Sequence, residues 1–223
     1  MPEVIFNGSA GRLQGRYRKG HKNAPIALFM HAHPMFGGSM DNIVVYKLYH
    51  LLKDMGFSTL RFNFRGTGKS EGVFDFGPGE LSDAADALNW AQINTVDYNG
   101  CWVVGYSFGA WIAMQLLMRR PEVKGFIVVS PPTKHDFSFL APCPAPGFIV
   151  SGDNDKIAET ESVKNLVSMI EKQSSSNIEH KFIEGANHFY TNKIDELMST
   201  CETYIEKRLK SELKPKLLEQ VSE

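Results

Sequence analysis

The sequence predicts an α/β domain built on a mostly parallel, doubly wound sheet. Four short apolar runs, Ile26–Met30, Cys101–Val104, Phe126–Val129 and Phe148–Val150, show no polar alternation and are rich in β-branched or aromatic residues. Strands buried on both faces read this way. Between them lie stretches whose apolar residues recur with helical spacing, so strand and helix signals alternate from about residue 25 to about residue 209. That alternation is the pattern of a parallel sheet covered by helices on both sides.

In chain order, residues 1–24 depart from this pattern. Val4–Phe6 and Leu13–Tyr17 flank Gly8-Ser9-Ala10-Gly11, which predicts an antiparallel hairpin on the sheet edge. Val44, Leu48, Leu51, Leu52 and Met55 form a helical stripe that stops at Gly56, a C-cap residue. Leu81, Ala84, Ala85 and Leu88 form the next stripe. Ala110 to Met118 is apolar almost all round and reads as a buried helix ended by Pro121. Val163, Leu166, Val167 and Ile170 precede a strand at Ile178–Ile183, and Ile194, Leu197, Met198, Cys201 and Ile205 make the last stripe. The end, SELKPKLLEQVSE, is polar and carries Pro215, expected to interrupt a helix; a mobile tail of about a dozen residues and a packing arm are both open.

With 223 residues, 43% of them apolar, the chain suits one domain over 1–223 around one sizeable core. Lysine plus arginine (24) balances aspartate plus glutamate (25), so nucleic acid and anionic membrane surfaces are not expected partners and a small molecule is. The N-terminus has no apolar signal-peptide core, and no apolar run is long enough to span a bilayer, so a cytoplasmic protein is expected. Charge and length leave a homodimer open. Cys101, Cys143 and Cys201 lie far apart and form no CxxC pair, which argues against disulfides and thiolate metal sites. Cys101 and Cys201 read as small buried hydrophobes, and Cys143 has no assignment.

Chemistry concentrates at Cys101-Trp102-Val103-Val104-Gly105-Tyr106-Ser107-Phe108-Gly109-Ala110-Trp111: a strand, then G-x-S-x-G, then a helix. A serine on so sharp a strand-to-helix turn needs strained backbone angles, and glycines two residues to either side remove side chains that would collide. The hydroxyl then projects at a helix N-terminus, where backbone N–H groups can stabilise an oxyanion.

On these residues the chain resembles the α/β-hydrolase superfamily, whose nucleophile, acid and histidine follow in that order. Ser151-Gly152-Asp153-Asn154-Asp155 resembles the superfamily's G-x-x-D acid loop, and Gly185-Ala186-Asn187-His188-Phe189 its histidine loop. The resemblance implies Ser107 as nucleophile, His188 as general base and Asp155 as the orienting carboxylate, all three at the carboxyl ends of strands. Asp153 competes for the acid role, and either aspartate could instead cap the following helix. His21, His50, His135 and His180 match no motif and read as structural or exposed.

Upstream, His31-Ala32-His33-Pro34-Met35-Phe36-Gly37-Gly38 resembles the H-G-x-P loop that supplies an oxyanion donor, with Ala32 where that pattern has glycine. By position the donors are the backbone N–H groups of His33 and Phe108, with Met35 as substitute; Pro34 has no N–H. No carboxylate or histidine at ligand spacing accompanies His31-x-His33, so no metal is expected. Gly68-Lys69-Ser70 imitates the end of a P-loop, but Asn63 stands where the phosphate nest needs glycine. The run Phe64-Arg65-Gly66-Thr67-Gly68-Lys69-Ser70-Glu71-Gly72 instead resembles a structural segment that follows the fourth strand in many α/β-hydrolases. Among the branches, the pair HxHPxxGG and NFRGxGxSxG is most similar to small bacterial dienelactone-hydrolase-like or esterase proteins.

The resemblance further implies an α/β-hydrolase fold with little or no cap, since only Ser130 to Pro146 lies where larger relatives insert one. It implies a cofactor-free serine hydrolase of small or medium esters or thioesters, with a lactone or amide on the same triad, or a noncatalytic binding scaffold, as alternatives. Phe36, Tyr106, Phe137, Phe139 and Phe189 are the candidates for lining the pocket; aromatics under loops also form satellite cores.

Overall fold

A computed structural model describes residues 3–140, 142–173 and 177–219. Its centre is one eight-stranded sheet: β1 Glu3–Gly8, β2 Gly11–Arg18, β3 Ile26–Met30, β4 Ser58–Phe62, β5 Cys101–Tyr106, β6 Val123–Val129, β7 Gly147–Gly152 and β8 Ile178–Ile183. The spatial order is β1-β2-β4-β3-β5-β6-β7-β8. The hairpin β1–β2 is antiparallel at the edge, β2 joins β4 antiparallel, and every pairing from β4 through β8 is parallel. The parallel strands therefore direct their carboxyl ends to one edge, the place where α/β sheets build ligand sites.

Five helices cover the two faces: α1 Ile43–Asp54, α2 Pro78–Asn94, α3 Phe108–Leu117, α4 Thr160–Gln173 and α5 Ile194–Glu219. The strand pleat sends alternate residues to opposite layers. Ile26, Leu28, Cys101, Val103, Phe126 and Val128 pack toward α2, α3 and α4. Ala27, Phe29, Trp102, Val104, Ile127 and Val129 pack toward α1 and α5. No helix among the described residues is long and apolar enough to cross a membrane. All three cysteines are buried, and Cys143 joins the α2–α4 layer.

Two elements differ from the sequence pattern. β4 has no apolar run because Ser58, Thr59 and Arg61 interrupt it, yet all its residues are buried. The Arg61 guanidinium bonds the Met40 carbonyl and Asp41, and lies over the rings of Tyr46 and Tyr49, so the inside charge is solvated by protein. At the other end, Pro215 does not interrupt α5, which continues to Glu219. Proline removes one ladder bond and can still sit within a continuing helical path. Residues 220–223 lie outside the described residues.

The loop after β4 folds as scaffold. Arg65 bonds both carboxylate oxygens of the fully buried Asp83 (Nη2 to Oδ1 2.7 Å, Nε to Oδ2 3.0 Å), and the Arg65 N–H also donates to Asp83. Asn63 donates to Gln14, whose side chain accepts the Lys69 N–H as well, and Lys69 reaches Glu3. These contacts occupy the groups that a phosphate would need. Removing one partner of a buried ion pair strands the other. Asp83→Ala should therefore lower the unfolding free energy by about 3–5 kcal/mol, read from urea midpoints at pH 7; a loss below about 1 kcal/mol would remove this pair from the scaffold.

Candidate active site

Ser107 sits between β5 and α3 at φ 54°, ψ −123°, a conformation that strains any residue with a Cβ. Its two flanking glycines make the turn sterically feasible. A Cβ on Gly105 would collide with the Gly109 carbonyl, and one on Gly109 with the Met30 carbonyl at the end of β3. The serine side chain is thereby held at the sheet edge, at the amino end of α3.

The Ser107 hydroxyl donates to His188 Nε2 at 3.0 Å. On the far side of the ring, His188 Nδ1 lies 2.8 Å from Asp155 Oδ2 and 3.0 Å from Oδ1. An ionised carboxylate can only accept, so Nδ1 carries the proton and Nε2 is left with the lone pair facing serine. Burial raises the pKa of Asp155, but the hydrogen bond from His188 and the N–H groups of Ala158 and Ile157, each donating to Oδ1 at 2.8 Å, outweigh it and leave the carboxyl below its usual range. The three side chains, distant in sequence, thus form one continuous hydrogen-bonded row, each residue less than a tenth exposed.

The competing aspartate has a different task. Asp153 Oδ1 accepts the Gly185 N–H at 2.7 Å, tying the acid loop to the histidine loop, and the Asn154 N–H donates to the Ala186 carbonyl. The Tyr106 hydroxyl donates to the His188 carbonyl at 2.8 Å, and the buried Tyr190 hydroxyl shares a bond with Ser130. The histidine backbone is therefore fixed from beneath by the ends of β5, β6 and β7.

Beside the row opens a cavity of about 480 Å³, lined by His33, Phe36, Tyr106, Ser107, Phe108 and His188 together with Asn42, Pro132, Lys134, His135, Ile157 and Phe189. As the first residue of α3, Phe108 has an N–H outside the helix's own ladder. No hydrogen bond among the described residues occupies the His33 N–H. Met35, by contrast, already donates its N–H to His33 Nδ1 at 3.3 Å. His31 is fully buried, with Nε2 accepting the Phe64 N–H and Nδ1 donating to the Ala32 carbonyl; burial pushes its pKa down to about 4. It is a structural strut of this loop.

The aromatic candidates divide. Phe36, Tyr106 and Phe189 line the cavity, whereas Phe137 and Phe139 do not. These two stack on each other with centroids 6.0 Å apart and pack on the core, because the short 3-10 turn Ser138–Leu140 tucks them under the loop after β6. His135, which the sequence suggested was structural or exposed, is half-buried, stacks on Trp111 at 4.4 Å and faces the cavity. Lys134 and Ile157 were not foreseen either. No local pattern marks them, since their place depends on how two loops fold over the sheet edge.

A family model described as alpha/beta hydrolase fold matches residues 33–176. An uncharacterized protein of Rickettsia prowazekii (strain Madrid E) is 50% identical over 211 residues, which cover 92% of this chain and 89% of that protein. Among solved structures, a protein of unknown function from Agrobacterium tumefaciens superposes with a TM-score of 0.92 at 56% identity, covering 95% of this chain and 98% of the other. An α/β serine hydrolase homologue from Coxiella burnetii superposes with a TM-score of 0.84 at 33% identity, covering 91% and 96%.

The strain at Ser107 can be separated from its hydroxyl. Ser107→Ala and Ser107→Gly both lose the bond to His188, but only glycine relaxes φ 54°, so the glycine variant should be more stable than the alanine variant by about 1–3 kcal/mol in thermal or urea unfolding. Equal stabilities would mean that no strain is stored there. The lowered pKa of Asp155 fixes a sign as well. Its contribution to stability is present above the ordinary aspartate range and disappears as pH falls through the lower folded value. Unfolding midpoints of wild type and Asp155→Asn should differ most above about pH 4 and draw together in stronger acid; a gap that widens in acid would contradict this.

Proposed function

The chain belongs to the α/β-hydrolase family, and on that premise we propose that it is a serine hydrolase cleaving a small or medium carboxylic ester or thioester. One observation carries the proposal: the unbroken row from the Ser107 hydroxyl through the His188 imidazole to the Asp155 carboxylate. The likeness to a serine hydrolase homologue at 33% identity supports it.

In this reading Ser107 Oγ attacks the acyl carbon while its proton passes to His188 Nε2. Asp155 holds the imidazole in the tautomer with Nδ1 protonated and stabilises the imidazolium that forms. The carbonyl oxygen, now negative, is met by the N–H groups of His33 and Phe108, the second reinforced by the amino end of α3. Collapse of the tetrahedral adduct breaks the bond to the leaving alcohol or thiol, which takes the proton from His188 Nε2. Water then attacks the acyl-enzyme by the same route, giving its proton to His188, and release of the acid returns the proton to Ser107 Oγ. No step calls on a cofactor. A lactone or amide would follow the same path.

A noncatalytic scaffold is disfavoured by the strained Ser107 backbone, since strain of this kind costs stability and serves no binding purpose that a relaxed turn would not. Incubation with a fluorophosphonate probe should label Ser107 covalently, as mapped by peptide mass spectrometry. Ser107→Ala should lose the label and drop esterase turnover by about 10³-fold or more on p-nitrophenyl esters. A folded wild-type protein that neither takes the probe nor turns over these esters would refute the reading.

A further inference from the structure

Four large apolar side chains stand in solvent around the mouth of the cavity, apart from exposed ones elsewhere such as Val73, Phe76 and Ile93. Phe36 is 86% exposed, Met35 66%, Phe189 64% and Ile157 43%, and they come from three separate loops, after β3, β7 and β8. Phe36, Ile157 and Phe189 also belong to the cavity lining. The apolar lining therefore continues outward from Ser107 onto the surface. An apolar strip that runs from a cavity onto the surface is the form a ligand groove takes.

The same lining contains one lysine. Lys134 is exposed and enters no ion pair among the described residues. The neighbouring Asp136 carboxylate is occupied by the N–H and hydroxyl of Ser138. The other groups of the lining that can take a positive charge are His33, whose pKa burial and His135 lower, His135, lowered by burial, and His188, whose Nδ1 is held by Asp155. At neutral pH the lysine is thus the lining's uncompensated positive charge.

Resting on the serine hydrolase reading above, we propose that the substrate is an anionic amphiphile: an ester whose apolar chain lies along Phe36, Ile157 and Phe189 and whose negatively charged group meets Lys134. A substrate is the occupant that this geometry favours. A protein partner or a second copy seated on Phe36 and Phe189 would close the path to Ser107, whereas a substrate chain covers these side chains only while it is bound. The charge argues the same way, because an apolar partner alone would leave Lys134 desolvated and unpaired.

The test is a set of four soluble esters, each used below its critical micelle concentration: butanoyl and dodecanoyl esters of glycerol and of glycerol 3-phosphate. Release of the free acid is measured and compared as kcat/KM. Wild type should favour the dodecanoyl over the butanoyl ester by about tenfold or more, and the phosphate over the neutral ester by about fivefold. Phe36→Ala combined with Phe189→Ala should collapse the chain-length ratio, and Lys134→Ala the charge ratio, each leaving the other ratio in place. All these residues are at the surface, so the variants fold. Fluorophosphonate labelling of wild-type Ser107 separates the two levels of failure. Labelled enzyme with no preference for the long or the charged ester, or with ratios that ignore these substitutions, overturns the amphiphile and leaves the hydrolase. Folded enzyme that is neither labelled nor active on any ester overturns both. A wild-type dimer that Phe36→Asp disperses, with the substrate ratios unchanged, would assign the apolar mouth to a second copy and likewise overturn the proposal.

Discussion

The site depends on how closely α3 approaches β3 and β5. The helix begins directly where β5 stops, and its first turn lies so near the sheet that neither Gly105 nor Gly109 has room for a Cβ. The chain can make this turn only by placing Ser107 at positive φ. Two consequences follow from the same constraint: the hydroxyl is forced out at the sheet edge, and the amino end of α3, with the Phe108 N–H outside the helical ladder, is brought beside it. The place of the serine hydroxyl and of the helix end beside it is thus set by backbone sterics before any side chain is positioned.

Keeping a carboxylate ionised at that edge is the second requirement, and it is met by hydrogen bonding rather than by solvent. Asp155 is 3% exposed. Desolvation alone would push such a carboxyl toward its neutral form, which could not hold the imidazole with its proton on Nδ1. Two N–H groups from the following turn, together with the imidazole, reverse the balance. This explains why the acid loop turns so abruptly after β7, and why Gly152 lies against Ala186, where a Cβ would collide with the Ala186 carbonyl. Asp153 closes the same junction through Gly185, so the pair of aspartates performs two tasks, one electrostatic and one mechanical.

What the sequence made legible follows from what is local. β3 and β8 have the bounds read from the sequence, because their limits are set by apolar content and flanking turns. The elbow was legible because its glycines answer a local steric demand. The preference for Asp155 over Asp153 came from the G-x-x-D spacing, and the structure pairs Asp155 with His188. What escaped was decided by tertiary contacts. β4 is masked by an arginine that other loops neutralise. Phe137 and Phe139 face the core, while their neighbour His135 faces the cavity, and nothing in the residue types of that loop distinguishes these directions. Pro215 shows the converse, a strong local signal for interruption that the path of α5 overrides.

An uncapped site raises the question of how the imidazole is kept in place without a roof. The hydrogen bonds that position it come from below: Tyr106 at the end of β5 grips the His188 carbonyl, Tyr190 is anchored to Ser130 beyond β6, and Asp155 stands after β7. The exposed side chains at the mouth, Phe36, Ile157 and Phe189, are absent from this network. Rigidity and the surface of the mouth therefore fall to different groups: buried hydroxyls, a carboxylate and backbone N–H groups, that of Ile157 among them, hold the geometry, and exposed side chains form the rim. Such a division lets the rim side chains vary without loosening the row of Ser107, His188 and Asp155, because its geometry rests on groups that solvent does not reach.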